Sequence, residues 1–490
     1  MTFIGIDCGT SALKAVLVDD NQTILASAVQ TYAPSHPEPR WSEQNPDDWR
    51  DAMFAALASL SHQAPAATSA LRGIGFSGQM HGAVLLDAED KPLRPAILHN
   101  DTRAFEEASE LATRRPELAR LLGVKPMAGF TAPKIVWLRK HEPGTLARLS
   151  CLLLPKDYLR LCLTGDKATD MSDAAGAWLL DEANRRWSPE ALDAIGLPPS
   201  ALPRLAEGSD AVGTLRDEIA ARFGFPRGVI VAAGGGDAAV GAIGIGAIGA
   251  GSAYISLGTA SQLIVAGDDY RAAPPEKLVH CFAHALPGRW YRMAAMLNGA
   301  AALAFAGRLF GASAAELERE AAQDYRGPGE ALFLPYLSGE RTPHDDPHAR
   351  GVYFGLSEAT GRADLACATM EGVAYTLADA RDCVEDGGQA LGQIGLIGGG
   401  SKSALWTRMI AAATRRPIAR YHDGETGPAF GAARLARLAV TGEAPEAVCP
   451  APEIRDVTEP DPALVEQFAP KLARFRSLYR ALKPEFAALA

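Results

Sequence analysis

Short apolar runs that break off at glycine, a hydroxyl residue or a carboxylate recur along this chain. The first, Phe3-Ile4-Gly5-Ile6-Asp7-Cys8, then Gly9-Thr10-Ser11, then Ala12-Leu13-Lys14-Ala15-Val16-Leu17-Val18, reads as strand, tight turn and strand. About 250 residues later Tyr254-Ile255-Ser256-Leu257-Gly258-Thr259-Ala260-Ser261 repeats the run and its Gly-Thr turn, the self-similarity of an internal duplication. Another strand, Gly73-Ile74-Gly75-Phe76-Ser77-Gly78, ends in Gln79-Met80-His81-Gly82. The apolar run at 229–233 gives way to Gly234-Gly235-Gly236-Asp237 and, from Ala238, to a small-residue helix. Ile394-Gly395-Leu396-Ile397 ends in Gly398-Gly399-Gly400-Ser401 and opens a further helix. Strands are also expected at 279–284, 290–293 and 333–334. Helical spacing marks Trp49, Met53, Leu57 and Leu60, with Asp47 or Asp48 as the N-cap, and Phe468, Leu472, Phe475, Tyr479 and Leu482 near the C-terminus. Helices are expected at 130–138, with Pro133 near the first turn, at about 364–383, and from Thr426-Gly427-Pro428 onward. Lys134 and Lys156 are assigned to solvated helix faces.

At 490 residues the chain exceeds one ordinary core, so two domains of roughly 200–250 residues are expected. The boundary falls between 1–245 and 246–490, and strands alternating with helices make the fold class α/β. Hydrophobic residues at 48% and charged residues at 22% describe a folded soluble protein. A net charge of −10 without Lys/Arg runs argues against nucleic acid or an anionic membrane as the partner. Any phosphate must then be held by local N–H groups, a metal or a few placed cations. Cysteines at 8, 151, 162, 281, 367, 383 and 449 form no CxxC pair and suggest free thiols in a reducing compartment. The chain enters a strand without a signal-peptide pattern, and its longest apolar region, 228–257, is broken by Asp237 and glycines. A cytoplasmic protein is the expectation, and a homodimer is compatible with the sequence.

Asp237 stands where a strand hands over to a helix, the position at which open α/β sheets hold ligands. Taken alone it reads equally as a helix cap or as a catalytic carboxylate. The turn at Gly9-Thr10-Ser11 can offer N–H and O–H donors to phosphate, and Asp7 beside it can hold Mg²⁺ through water; an ordinary hairpin is the plainer alternative. Gln79, Met80, His81, Asn100 and Asp101 combine donors, acceptors and an apolar wall, as a polyhydroxylated ligand needs. His81 by itself reads as a satisfied loop histidine. The glycines at 398–400 can let a nucleotide approach the backbone.

The paired turns resemble the superfamily of actin, Hsp70 and the sugar kinases, which implies a two-domain actin-like ATPase (ribonuclease H-like) fold with a cleft between related domains. The motifs at 5–11, 78–82, 100–101, 130–138, 154–158, 170–176, 234–237, 338–344, 351–356 and 398–400 occur in the order of the FGGY family of carbohydrate kinases. The chain resembles that family over nearly its whole length, and within it the branch acting on D-xylulose. The resemblance implies phosphorylation of a small-molecule ketose by ATP with Mg²⁺. It implies that Asp237 takes the proton from the sugar hydroxyl and that Asp7, with Asp237, stands beside the metal and phosphate. Met80 and His81 would bind the ketose. Gly9, Thr10, Ser11, Lys14, Gly258, Thr259, Gly398, Gly399, Gly400 and Ser401 would hold ATP. Three positions depart from the pattern of that branch: His99 replaces a Trp, Ala238 an Asn, and Ala260-Ser261 a Ser-Gly. The first two adjoin the expected sugar site, so another ketopentose or polyol is an alternative substrate. An actin- or Hsp70-like ATPase without sugar chemistry is the alternative of another class, and the polar residues at 79–81 and 99–101 argue against it.

Overall fold

The computed structural model describes residues 1–386, 391–422 and 427–489; Thr426, expected at a helix start, lies outside them. Two seven-stranded sheets organise the described residues. In the first, β1 (Thr2–Cys8), β2 (Ala12–Asp19) and β3 (Ile24–Thr31) form an antiparallel meander, and β4 (Leu71–Gly78) lies parallel beside β1. An edge strand, β5 (Ala211–Thr214), is antiparallel to β6 (Ile230–Ala232), which runs parallel to β4. The two-residue β7 (Gly235–Gly236) continues alongside the end of β4.

The second sheet comprises β8 (Ala253–Leu257), β9 (Ser261–Gly267), β10 (Val279–Ala283), β11 (Trp290–Met296), β12 (Ile394–Ile397), β13 (Ile418–Tyr421) and β14 (Ile454–Thr458). Its order, β10-β11-β9-β8-β12-β13-β14, reproduces the first. The β8/β9 hairpin answers to β1/β2, β11 to β3, and the parallel β12 and β13 to β4 and β6. An antiparallel edge strand follows in each sheet. The repeat first visible in one Gly-Thr turn thus extends to the whole sheet, with β10 as an addition.

Alternation along β1 explains how the first sheet is covered on both faces. Ile4, Ile6 and Cys8 share a core with Trp49, Met53, Leu57 and Leu60 of α1 (Pro46–Gln63). The cap of α1 is Asn45, whose side chain accepts from Asp47 N–H at 3.2 Å; Asp47 and Asp48, expected as caps, lie inside the first turn behind Pro46. Next come α2 (Thr131–His141), α3 (Pro155–Thr164), which packs on β4 and α1, and α4 (Met171–Gly176), which meets β7 and β10, and α5 (Asp237–Gly244) leaves β7. Later in the chain come α6 (Arg362–Glu385), α7 (Ala404–Thr414), α8 (Pro428–Thr441) and α9 (Pro462–Ala488). The first three of these extend or match sequence expectations, and α9 buries Phe468, Phe475 and Tyr479 as its spacing predicts.

Helix α8, late in sequence, covers the other face of the first sheet. Phe3, Val16 and Val18 pack with its Ala429, Phe430, Ala433 and Ala436. Glycines at the facing strand positions let the helix backbone come close: a Cβ at Gly5 would stand 1.8 Å from Ala429 O, and one at Gly75 1.9 Å from Ala432 O. Gly431 meets α5 in the same way, 2.1 Å from Val240 O for a hypothetical Cβ. The Arg434 guanidinium then donates to Ile243 O at 2.8 Å and Gly244 O at 3.2 Å, satisfying carbonyls at the end of α5 with a cation. Gly75→Ala should therefore lower unfolding free energy by at least ~2 kcal/mol through overpacking. A urea midpoint equal to wild type would contradict this docking.

Candidate active site

Register brings two carboxylates to one end of the first sheet. Asp7 lies opposite Ser77 and Cys8 opposite Gly78; on the far side of β4, Gly235 and Gly236 pair with the same two residues. β4 is thus the middle strand, and the Cα atoms of Asp7 and Gly235 are two strand spacings apart, roughly 10 Å. Asp237 follows as the first residue of α5, with Gly236 in the N-cap position. The Asp237 side chain is exposed to solvent although protein stands densely around it. Desolvation by the surrounding protein, and then the negative charge of Asp7, raise its pKa to about 7, against a backbone N–H from Ala238. Burial raises Asp7 to about 6, and its Oδ1 has no hydrogen-bond donor among the described residues.

Residues 79–82 leave the end of β4 between these carboxylates. Met80 is buried against both Gly236 and Gly176: a Cβ at either glycine would fall 2.6–2.9 Å from its side chain. His81 adopts a left-handed backbone, φ 69°, which a histidine enters only when its surroundings hold it there. Thr131 Oγ1 and Lys134 Nζ both donate to its carbonyl, at 3.1 and 2.8 Å, and Lys134 also donates to Gly129 O at 2.8 Å. Lys134 is therefore fully buried rather than solvated, and burial lowers its pKa to about 7. The His81 ring pairs Nδ1 with Gly176 O, so Nδ1 carries the proton and Nε2 is left as an acceptor. Burial keeps this ring neutral, well below the usual histidine range. Phe130 packs on it at 4.7 Å, and His280 of β10 packs edge-on against Phe130 at 5.9 Å. His99, on the adjoining segment, is held down to about 4 by burial and then by Lys134 and Arg341.

Other expected sugar contacts are engaged elsewhere. Gln79 is buried, accepting from Thr10 Oγ1 at 3.2 Å and donating to Gln44 Oε1 at 3.0 Å. Gln44 donates in turn to Thr10 O at 2.6 Å. Gln79 thus ties the first Gly-Thr turn to the end of β4 instead of offering its amide to a ligand. Asp101 is buried with both oxygens on Arg103, and one also accepts from Ser42 N–H at 2.6 Å. Its role is to fix Arg103, which lies over the Trp41 ring at 3.6 Å. Asn100 is exposed, on a shallow concavity with His36 and Trp41.

The glycine turns do gather in the second sheet. Gly398, at φ 88°, sits against Leu257 O immediately before Gly258 and Thr259; a Cβ there would be 2.7 Å away. Ser401 N–H and Oγ both bond back to Gly398 O, and Gly399 faces open space. Thr259 is exposed, as is Ser11 of the first turn, while Gly9, Thr10 and Lys14 are half-buried. Gly400 is buried on the Leu257 side chain.

Residues 2–244 match the N-terminal domain and residues 253–440 the C-terminal domain of the FGGY family of carbohydrate kinases. The chain belongs to this family. This FGGY kinase is 42% identical over 484 residues to the xylulose kinase of Escherichia coli K12, spanning 98% of the chain and 99% of the relative. It is 36% identical to that of Bacillus subtilis 168, with 88% and 87% covered. A crystal structure described as a xyloylose kinase from Brucella ovis superposes with a TM-score of 0.96 at 43% identity, covering both chains completely. No helix of the described residues is long and apolar enough to cross a membrane.

Two groups of side chains around this FGGY kinase site escape sequence reasoning. Lys134 shares a helical face with Thr131 and Leu138, the one local sign that it turns inward. Lys156, also fully buried, contacts three aspartates.

The sign of the Asp237 shift gives a stability test. A carboxyl with a raised folded pKa favours the fold as the neutral acid, and that contribution is lost as pH rises through about 7. Asp237→Asn should melt above wild type at ~pH 8, with the gap narrowing as pH falls below about 7 and closing only near ~pH 4, the unfolded-state value. A gap independent of pH would contradict the raised pKa.

Proposed function

We propose that this kinase transfers the γ-phosphoryl group of ATP to the terminal hydroxyl of D-xylulose, giving D-xylulose 5-phosphate, with Asp237 as general base. The observation that carries the reading is the Asp237 carboxylate, reachable in the cleft beside the Met80-His81 loop, in a chain related over nearly its full length to proteins named xylulose kinases. In this reading residues 1–245 hold the sugar and 246–490 the nucleotide. Met80 supplies an apolar wall, and neutral His81 accepts a sugar hydroxyl at Nε2. The turns at Gly9-Thr10-Ser11 and Gly258-Thr259, with the glycines at 398–400, offer N–H and O–H groups to phosphate oxygens.

Phosphoryl transfer through a loose transition state asks the protein mainly for alignment and charge neutralisation. One carboxylate suffices as base: ionised Asp237 accepts the hydroxyl proton as the oxygen engages phosphorus, and a pKa of about 7 suits that task near neutral pH. The Asp7 oxygen without a donor, with Asp237 nearby, fits a Mg²⁺, which favours one or two carboxylates beside water and substrate phosphates. Bound there, Mg²⁺ supplies charge neutralisation at the phosphates. Among the described residues no cluster of three His, Cys, Asp or Glu forms a cage for it. The seven free cysteines support a cytoplasmic setting.

Ala238 and His99 favour a second reading, the same chemistry on another ketopentose or polyol, since both adjoin the proposed sugar site. A panel of ketoses and polyols assayed for ADP release separates the two: the first reading predicts the highest kcat/KM for D-xylulose. Asp237→Ala should lower kcat on the order of 10²- to 10⁴-fold with the KM for ATP nearly unchanged. Wild-type kcat/KM should fall as pH drops below about 7, as Asp237 protonates. Near-normal turnover by Asp237→Ala removes it from the base role.

A further inference from the structure

Behind the turn that carries Asp237 lies a knot of fully buried charge on α3 and around α4: Lys156, Asp157, Arg160, Asp170 and Asp173. Lys156 Nζ stands 2.7 Å from Asp157 Oδ1, 2.9 Å from Asp170 Oδ1 and 3.1 Å from Asp173 Oδ2. Arg160 Nη1 reaches Asp157 Oδ1 at 3.0 Å and donates to Ala233 O at 2.7 Å. Ser172 Oγ donates to Asp170 Oδ2 at 2.5 Å and accepts from Gly236 N–H at 3.0 Å. The turn between β6 and α5 is thus gripped at Ala233 and again at Gly236, the residue directly before Asp237. The space is tight: a Cβ on Gly235 would touch Ser172 Oγ at 3.0 Å, and one on Gly78 would touch Lys156 Cβ at 3.3 Å.

Buried ion clusters add little stability over apolar packing of the same volume. What this one supplies is fixed direction. Two cations face three carboxylates. Against the burial that opposes it, Lys156 and Arg160 hold Asp157 below the ordinary carboxylate range. Burial pushes Asp173, whose Oδ2 lies 3.1 Å from Lys156 Nζ, well above it.

We propose that Ser172, Asp170, Lys156 and Arg160 are positioning residues that hold the Ala233 to Gly236 backbone, and through it set where the Asp237 carboxylate meets the substrate hydroxyl. The inference rests on the base role proposed for Asp237. It predicts that the set acts on turnover and not on substrate affinity.

The test compares full-length wild type, Ser172→Ala and Asp173→Asn with ATP, Mg²⁺ and D-xylulose. Ser172→Ala should lower kcat about 10- to 100-fold, the scale of a misplaced catalytic group, with the KM for D-xylulose within about threefold. Asp173→Asn, which alters a neighbour of Lys156 that bonds neither Ser172 nor the turn, should keep kcat within about threefold. Should Ser172→Ala also lower the melting temperature, Ser172→Cys, which retains a weak hydrogen-bonding group, must recover part of kcat. A Ser172→Ala enzyme with wild-type kcat, an Asp173→Asn enzyme equally impaired, or no recovery by Ser172→Cys overturns the positioning role. Absent wild-type turnover with every sugar of the panel rejects the base role and this inference together; normal wild-type turnover with an unaffected Ser172→Ala rejects the inference alone.

Discussion

Asp7 and Asp237 stand near the ends of two chain segments that flank β4, so two negative charges are held close together among crowded protein groups. Each resists ionisation, Asp237 partly because Asp7 is there. Much of the surrounding structure answers that constraint. Lys14, opposite Asp7 on β2, offsets part of its shift, while the histidines of the nearby segments, His81, His99 and His280, all sit below the ordinary histidine range. Lys134 spends its protons on backbone carbonyls, and the cationic partners Lys156 and Arg160 stand behind the Asp237 turn, paired with their own carboxylates. The repulsion between the two carboxylates is of the kind a cation placed between them would relieve, which connects the raised pKa values to the chemistry proposed for the site.

A second constraint holds the two sheets in relation to each other. α8 comes between β13 and β14 of the second sheet in sequence yet lies on the first sheet, seated on Gly5 and Gly75, and Gly431 brings it against α5. Arg434 closes the end of α5 from the same helix. α5 begins at Asp237 and is closed at its other end by the Arg434 cation, so α8 is coupled to the element that carries Asp237.

Much of this was legible in the chain. Strict alternation, Gly-Thr turns and glycine-ended apolar runs identified β1, β2, β4, β8 and β12 and the strand end occupied by Asp237, because these signals are local. What escaped was set by distant partners. Gln79 and Asp101 look like ligand groups until Thr10, Gln44, Arg103 and Ser42 are found on them. Lys134 and Lys156 look like surface lysines until carbonyls and aspartates from other segments enclose them. Asn45 took the cap expected of Asp47 or Asp48 because Pro46 suits the first helical position, where no N–H is needed. The glycines at 5 and 75 carried a readable signal for close backbone approach, but nothing local said that a helix some 350 residues away would use it.

The central claim is that the Asp237 carboxylate, though exposed, is crowded by protein beside a second negative charge. Its titration can be followed directly by ¹³C NMR of labelled aspartate carboxyls in the ligand-free protein, assigned by loss of the signal in Asp237→Asn. The account predicts a midpoint near the value of about 7 that burial and Asp7 impose, moving downward in Asp7→Asn. A midpoint close to ~4, the value of a solvated aspartate, and unmoved by Asp7→Asn would contradict it.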